Sequence, residues 1–330
     1  MSKAVWVGVD VGKESCFAAV ASGEDAVADW ARLPVREFAF CEDGLKRFVR
    51  WVKSQVGGSD GISGVCIEST GRLGWRFMEQ LKGALGPVSM ENPARTRSFG
   101  DSMGLRDKTD RVDACVLALY GVAMRPRATG MPPPVMRELR ECNRLFSTLS
   151  VDRQSYTKRL KDGPSSAFVR RELKQTIRQL GRHMEKVQTQ MDELIASEAT
   201  LQRDVECITS IKGIGPRTAF VLLAELGDLR KYSRNEIASF AGLYPRRHES
   251  GTSVHKRPRL AGRGGGAIRK ALYLCAMSAR VHNPQMRRFY QRLVDNGKAP
   301  MAALGALMRK LLLLARSLLV HNTRYDPDFT

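Results

Sequence analysis

Residues 4–10 read AVWVGVD and residues 64–69 read GVCIES. Each is a short apolar run rich in β-branched side chains, and each runs out on a carboxylate, Asp10 in the first and Glu68 in the second. Such runs read as strands buried on both faces, so a carboxylate at the end of one sits at the rim of a sheet. A third stretch, KTDRVDACVLALYG at 108–121, reads as a helix with Thr109 as its N-cap. Its Asp110 and Asp113, three residues apart, share one face. Val112, Cys115, Val116 and Leu119 form its buried stripe, which leaves the two carboxylates on a different face. Four carboxylates from separate elements make an oxygen-donor set for a hard divalent cation, Mg²⁺ or Mn²⁺. Two such ions can activate an attacking oxygen and stabilise a leaving one in phosphodiester chemistry. Taken singly, each acid reads better as a cap or a solvated surface charge; the metal reading rests on the set.

The surrounding sequence alternates strand and helix signals. AVWVGVDVGKES and CFAAVAS read as a hairpin turning at Gly12 and Lys13, and DGLKRFVRWVKSQ as an amphipathic helix with Leu45, Phe48, Val49 and Val52 on one side. SGVCIES is the next strand, GWRFMEQLKGAL a helix and GPVSMEN a further short strand. This order predicts an α/β RNase H-like domain over residues 1–125.

Residues 126–200 have a different texture. After the Pro-rich linker RPRATGMPPPVM, apolar or small residues recur at Val135, Leu139, Cys142, Phe146, Leu149, Tyr156 and Leu160, broken only by Arg153. Beyond the turn DGPSS they resume at Leu173, Ile177, Leu180, Met184, Val187, Met191 and Leu194. Alternating steps of three and four predict an antiparallel coiled-coil hairpin, whose seam also suits self-association. Residues 201–330 read as mostly α-helical. In VECITSIKGIGPRTAFVLLAELG, Gly213-Ile214-Gly215 between two helical runs fits both a helix-hairpin-helix, whose amides meet a phosphate, and a plain turn between packed helices.

The chain has 330 residues and a formal charge of +20. Residues 1–125 hold 17 Lys and Arg against 16 Asp and Glu, whereas 126–330 hold 37 against 18. The basic excess lies outside the carboxylate region, as expected if one part does metal chemistry and the other holds a polyanion. Between Arg246 and Lys270 there are eight basic residues and one acid, Glu249, in a Gly- and Ser-containing stretch that reads as a loop along a phosphate backbone. The expected nucleic-acid contacts are Lys212, Arg217, Arg246, Arg247, Lys256, Arg257, Arg259, Arg263, Arg269 and Lys270. Seven cysteines are scattered singly with no CxxC spacing, which predicts a reduced cytoplasmic protein without disulfides or structural zinc. The most apolar stretch, residues 301–320, carries Arg309, Lys310 and Arg316 and reads as a packed helix instead of a membrane span.

VGVDVGKES, IES-TG and KTDRVDA together resemble the RuvC-like DEDD domain of insertion-sequence transposases related to the Piv DNA invertase. IKGIGPRTA, AGLYPRRHESG and GGAIRKALYLCAMSA resemble the C-terminal transposase domain of the same family. The resemblance covers nearly the whole chain in the same order. It implies a DNA recombinase of a bacterial insertion sequence, acting in the cytoplasm at the nucleoid, with Asp10, Glu68, Asp110 and Asp113 as the metal tetrad. It also implies a serine nucleophile that becomes joined to DNA; Ser250 stands at the matching position, with Thr252 and Ser253 nearby. A noncoding bridge RNA pairing with donor and target DNA, and assembly as a dimer or tetramer, are further implications. The competing readings are a RuvC-type Holliday junction endonuclease using water, an ATP-handling protein with a kinase-like phosphate loop, and a non-catalytic DNA-binding protein.

Overall fold

The apolar run at the start of the chain becomes the central strand of a five-stranded sheet. In the order β3-β2-β1-β4-β5, this sheet comprises β1 (Val5–Val11), β2 (Ser15–Ser22), β3 (Val35–Ala39), β4 (Ile62–Glu68) and β5 (Val88–Glu91). β2 pairs antiparallel with both β1 and β3, whereas β4 lies parallel between β1 and β5. The structure, a computed structural model, describes residues 4–23, 29–56, 61–68, 71–81, 83–105, 107–250, 254–260 and 265–326. The chain divides into two units, Met1–Met131 and Pro132–Thr330.

In the first unit, strand alternation sorts β1 between two cores. Val7, Val9 and Val11 pack on one face with Phe48 and Val52 of α1 (Glu42–Val56) and Phe77 and Leu81 of α2 (Arg72–Leu81). Trp6 points to the other face, where it joins Ala19, Ala21 and Cys66 beneath α4 (Asp110–Met124). That helix lies almost on the backbone of β1. A Cβ added at Gly8 would overlap the Ala118 amide nitrogen and the Ala114 carbonyl oxygen. The Trp6 ring fills a slot between two further glycines: an added Cβ would come within 2.7 Å of it from Gly64 and 2.6 Å from Gly121.

The contact order gives the direction of the helix. Gly121 sits at Trp6 and Ala114 and Ala118 at Gly8, so α4 runs antiparallel to β1 and brings its N-terminal turn toward Asp10. The expected single buried stripe is corrected here. Every residue from Ala114 to Val122 is buried, and Val112 is half-buried. Asp110 therefore heads the very row, Asp110, Ala114, Ala118 and Gly121, that lies on the sheet. The sequence reading lacks the short edge strand β3 and α3 (Pro93–Ser102), which Asn92 caps by accepting from the Ala94 amide at 2.8 Å.

The second unit is helical apart from one two-stranded ribbon. Helices α5 (Pro134–Lys161) and α6 (Ala167–Ala196) run antiparallel, with Gln190 Nε2 donating to Glu138 Oε1 at 3.2 Å near their base. Cys142, Phe146, Leu149, Tyr156 and Leu160 on one helix, and Leu173, Ile177, Leu180, Met184 and Val187 on the other, are half-buried while their neighbours on the outer faces are exposed. Arg153, the break in that pattern, lies with its guanidinium 3.9 Å from where a Cβ on Gly181 would stand. At the base, Met136, Leu139, Met191, Leu194 and Ile195 share one core with α7 (Ala199–Thr209), α8 (Pro216–Leu226), α9 (Arg234–Phe240), α10 (Gly266–His282), α11 (Pro284–Asp295) and α12 (Pro300–His321).

Arg230 ties this unit together by donating to both carboxylate oxygens of Asp204, to Asp228 at 3.1 Å and to the Leu319 carbonyl at 3.1 Å. The apolar stretch at 301–320 is α12, and Leu307, Leu311, Leu312 and Leu319 are core residues. Among the described residues no helix is long and apolar enough to cross a membrane. The basic stretch after Leu243, expected as a loop, is instead a hairpin of β6 (Pro245–Ser250) and β7 (Val254–Leu260). Backbone pairing, invisible to a reading of charge and glycine content, is the reason for that difference.

Gly8→Ala forces a methyl into the α4 backbone and is expected to cost roughly 1–3 kcal/mol or more by overpacking. Gly130→Ala, which places its methyl in open space, should leave the denaturation midpoint unchanged. Equilibrium unfolding in urea compares the two.

Candidate active site

The carboxylates meet because three elements end at the same rim. Asp10 is the penultimate residue of β1 and Glu68 the last of β4, its parallel neighbour. Asp110 and Asp113 occupy the first turn of α4, where Thr109 Oγ1 accepts from the Val112 amide at 3.3 Å and the helix dipole favours negative charge. Asp10, Glu68 and Asp113 are half-buried and Asp110 is exposed.

Their mutual effect is visible in their acidities. The Asp10 carboxyl is pushed up to about 6, first by burial and then by the charges of Asp110, Asp113 and Glu68. Burial and the neighbouring Asp113 raise Glu68, and burial and Asp110 raise Asp113. The four thus stand within electrostatic reach of one another. Among the described residues, no three acidic, cysteine or histidine side chains close into a ready-made metal cage. Four like charges hold one another apart, and the donor set, all carboxylate oxygen with no thiol or imidazole, fits a hard cation such as Mg²⁺.

Two features of this rim escaped the sequence reading. Arg97 on α3 and Lys108 just before α4 oppose the rise in Glu68 and Asp113, which makes them, among the described residues, cations near the cluster. Lys108 is adjacent to the acidic motif and could have been noticed; nothing local points to Arg97. A fifth rim carboxylate, Glu91, is paired in register with Glu68 but is committed elsewhere. It is buried, accepts from Ser89 Oγ at 2.7 Å and Tyr120 OH at 3.3 Å, and has the Arg95 guanidinium 3.6 Å away. Its oxygens serve the fold.

The remaining candidates all belong to the second unit. Ser250 closes β6, paired in register with Val254, and Thr252 and Ser253 lie outside the described residues. Arg246, Arg247, Lys256, Arg257 and Arg259 belong to the same ribbon by their backbone, their side chains being outside the description, and Arg263 lies outside the described residues altogether. Lys212 and Lys270 are exposed. Arg269 donates to the Ala241 carbonyl at 3.2 Å. Arg217 is held inward: its guanidinium lies 3.8 Å over the Phe146 ring and donates to Asn143 Oδ1 at 2.7 Å, and burial lowers it to about 10. In the Gly-rich turn before α8, Gly213 has φ +110° and a Cβ there would come within 2.8 Å of the Ala279 Cβ on α10. Close packing accounts for Gly213, while Gly215, with nothing within 4 Å, is open to the outside.

Comparison with known proteins agrees in both units. Residues 7–163 match a profile described as Transposase, of the DEDD type named for IS110, and residues 205–291 match one described as Transposase IS116/IS110/IS902 family. The chain is 27% identical to the pilin gene-inverting protein of Moraxella bovis over 331 residues, covering 99% of this chain and 98% of that one. The corresponding Moraxella lacunata protein is 26% identical with the same coverage. An insertion element IS110 uncharacterized 43.6 kDa protein of Streptomyces coelicolor is 36% identical over 121 residues, 36% of this chain and 29% of that protein.

The raised pKa of Asp10 acts on stability with a definite sign. Between the ordinary value of 3.8 and about 6 the folded carboxyl keeps a proton that the unfolded one loses, so stability falls as pH rises through this window. Asp10→Asn should therefore melt higher than the wild type at pH 8 in EDTA. After discounting for solvent screening the gain is on the order of 1 kcal/mol, about 3 °C, and it should vanish toward pH 4. Mg²⁺ should raise the wild-type midpoint and not that of the variant. Identical melting curves across this range would remove the case for a repulsive cluster.

Proposed function

Since the chain is a DNA transposase of the IS110 family, we propose that Asp10, Glu68, Asp110 and Asp113 hold two divalent cations, Mg²⁺ or Mn²⁺, and that Ser250 supplies the attacking oxygen. The observation that carries this reading is the convergence of the four carboxylates at one rim, with Asp10 raised to about 6 by burial and by the other three. Held by Asp10, Glu68, Asp110 and Asp113, such cations would polarise a scissile phosphate and ease deprotonation of the attacking hydroxyl. The Ser250 Oγ loses its proton and forms a bond to phosphorus as the bond to a deoxyribose oxygen breaks, and the leaving oxygen takes up a proton to become a hydroxyl. The phosphoester energy is kept in the serine–DNA link, so rejoining to another hydroxyl needs no ATP. The position of Ser250 at the end of a basic ribbon supports this role.

The substrates are donor and target DNA, and an RNA encoded by the element guides their pairing. The excess of 37 basic over 18 acidic residues in 126–330 supports two polyanionic partners. The turn between α7 and α8 acts as a helix-hairpin-helix through its open Gly215. The half-buried seam of α5 and α6 acts as a coiled coil and, joined to a second copy, gives the dimer or tetramer that strand exchange between two duplexes requires. Hydrolysis by water, as in a Holliday junction endonuclease, is the second reading, because the carboxylate cluster would serve a water nucleophile equally well.

Asp10→Asn and Asp113→Asn should each reduce strand cleavage at least about a thousandfold while sparing DNA binding. Ser250→Ala should abolish a protease-sensitive protein–DNA adduct on a denaturing gel and leave the fold intact. An adduct that survives in Ser250→Ala and disappears in Ser253→Ala reassigns the nucleophile. Cleavage by the wild type to free ends, with no adduct under any condition, establishes the hydrolytic reading instead.

A further inference from the structure

The first unit also carries a concave site on the face of the sheet opposite the carboxylates. On the edge strand β3, Arg36 and Phe38 alternate onto the face that packs against α1, where Phe38 is buried with Phe48 and Val52. Along the adjoining flank of α1, Arg47, Trp51 and Ser54 recur at helical spacing, and Arg50 stands beside them. Together with Glu37 and Ala39 these residues line a depression of ≈ 380 Å³. The carboxylate rim, by contrast, belongs to the α4 side, the face on which Trp6 and Gly8 meet that helix.

The chemistry of the depression is incomplete as it stands. Arg36, Arg47 and Arg50 make no ion pair with any described residue, whereas the neighbouring Lys46 is paired with Glu42 at 2.8 Å. Three guanidinium groups around one hollow, with Glu37 as the single lining acid, repel one another until an anion enters. Guanidinium forks match the oxygens of a phosphate, and five donors each allow bidentate contact. Trp51 is half-buried, its ring held at 5.4 Å and 52° against Phe38, which fixes the indole at low entropic cost beside those cations. A rigid aromatic ring next to unpaired guanidinium groups is the arrangement that takes a phosphodiester and stacks its base.

We infer that the hollow between β3 and α1 binds an unpaired nucleic-acid strand, with Arg36, Arg47 and Arg50 on its phosphates and Trp51 against a base. Because the site opens on the face opposite Asp10 and Asp113, the strand held there is a segment other than the one being cut. The shared chemistry, a phosphodiester with an exposed base, is common to single-stranded DNA and RNA, and the source is decided by experiment.

The test uses the full chain and 12-nucleotide oligomers of one sequence, as single-stranded RNA with 4-thiouridine and single-stranded DNA with 4-thiothymidine. Photocrosslinking followed by peptide mass spectrometry should give an adduct within residues 36–54. Arg47→Gln/Arg50→Gln should lose that adduct at least about tenfold. It should also flatten the dependence of log Kd on log salt by about 1.4, the equivalent of two phosphate contacts on a single strand. Both arginines are exposed, so an unchanged thermal midpoint is expected and separates lost binding from lost folding. Trp51→Phe should keep the salt slope and weaken crosslinking, as stacking predicts. A stronger RNA adduct identifies RNA as the source, a stronger DNA adduct identifies DNA, and equal adducts identify contacts to phosphate and base that both strands share. Crosslinks that all fall outside residues 36–54, or a double variant with the wild-type salt slope, overturn the assignment. The test leaves Ser250 and the carboxylates untouched, so its outcome is independent of the cleavage mechanism.

Discussion

The first unit depends on one steric constraint, the seating of α4 on the backbone of β1. Any side chain at Gly8 would collide with the main chain of the helix, and the Trp6 ring occupies the slot left by Gly64 and Gly121. Contacts at both Gly8 and Trp6 fix the axial position and the rotation of the helix together. Asp110 and Asp113 come to the same rim as Asp10 because they are one turn further along the helix that these glycines admit. The cost of glycine in a strand, roughly 0.5–1 kcal/mol against alanine, is offset by an apolar contact that no larger residue could make.

The electrostatics of the rim follow from that seating. Burial and like charge both raise Asp10, and the nearby Glu91 shows what a carboxylate there looks like when the fold satisfies it: bonded to a serine and a tyrosine, and faced by an arginine. Among the described residues, Asp10 and Glu68 have no such partners beyond the Val11 amide at Asp10 and the charges of Arg97 and Lys108. Unsatisfied carboxylates in a partly buried position are destabilising by themselves, and a bound cation removes that penalty. The first unit therefore gathers at one rim of its sheet carboxylates whose charges oppose one another.

In the second unit the same economy of space governs the helices. Gly213 lets the turn before α8 approach Ala279, and Arg217 stacks on Phe146 where the hairpin enters the core. Met136, Leu139, Met191 and Leu194 merge the base of that hairpin with the C-terminal helices, so the two long helices are anchored at one end and carry only a narrow half-buried seam beyond it. Arg230 performs for α7 and α12 what Trp6 does for α4, joining the two elements through Asp204 and the Leu319 carbonyl.

Local periodicity made much of this legible in advance. The runs that became β1, β2 and β4, the stripe of Leu45, Phe48 and Val52, and the three-four spacing from Cys142 to Val187 all rest on burial patterns that repeat within a few residues. The strand ends that carry Asp10 and Glu68 were readable for the same reason. β3 was not, because VREFA is short and polar and becomes a strand only through its bonds to β2. The ribbon from Pro245 to Leu260 was hidden likewise, since charge and glycine content describe solvation and not pairing. Sequence spacing determined that four carboxylates could meet; only tertiary packing decided that they do, and that Arg97, Lys108 and Glu91 stand beside them, because the distance between residues 10 and 110 is set by side-chain volume where two elements touch and by nothing within either one.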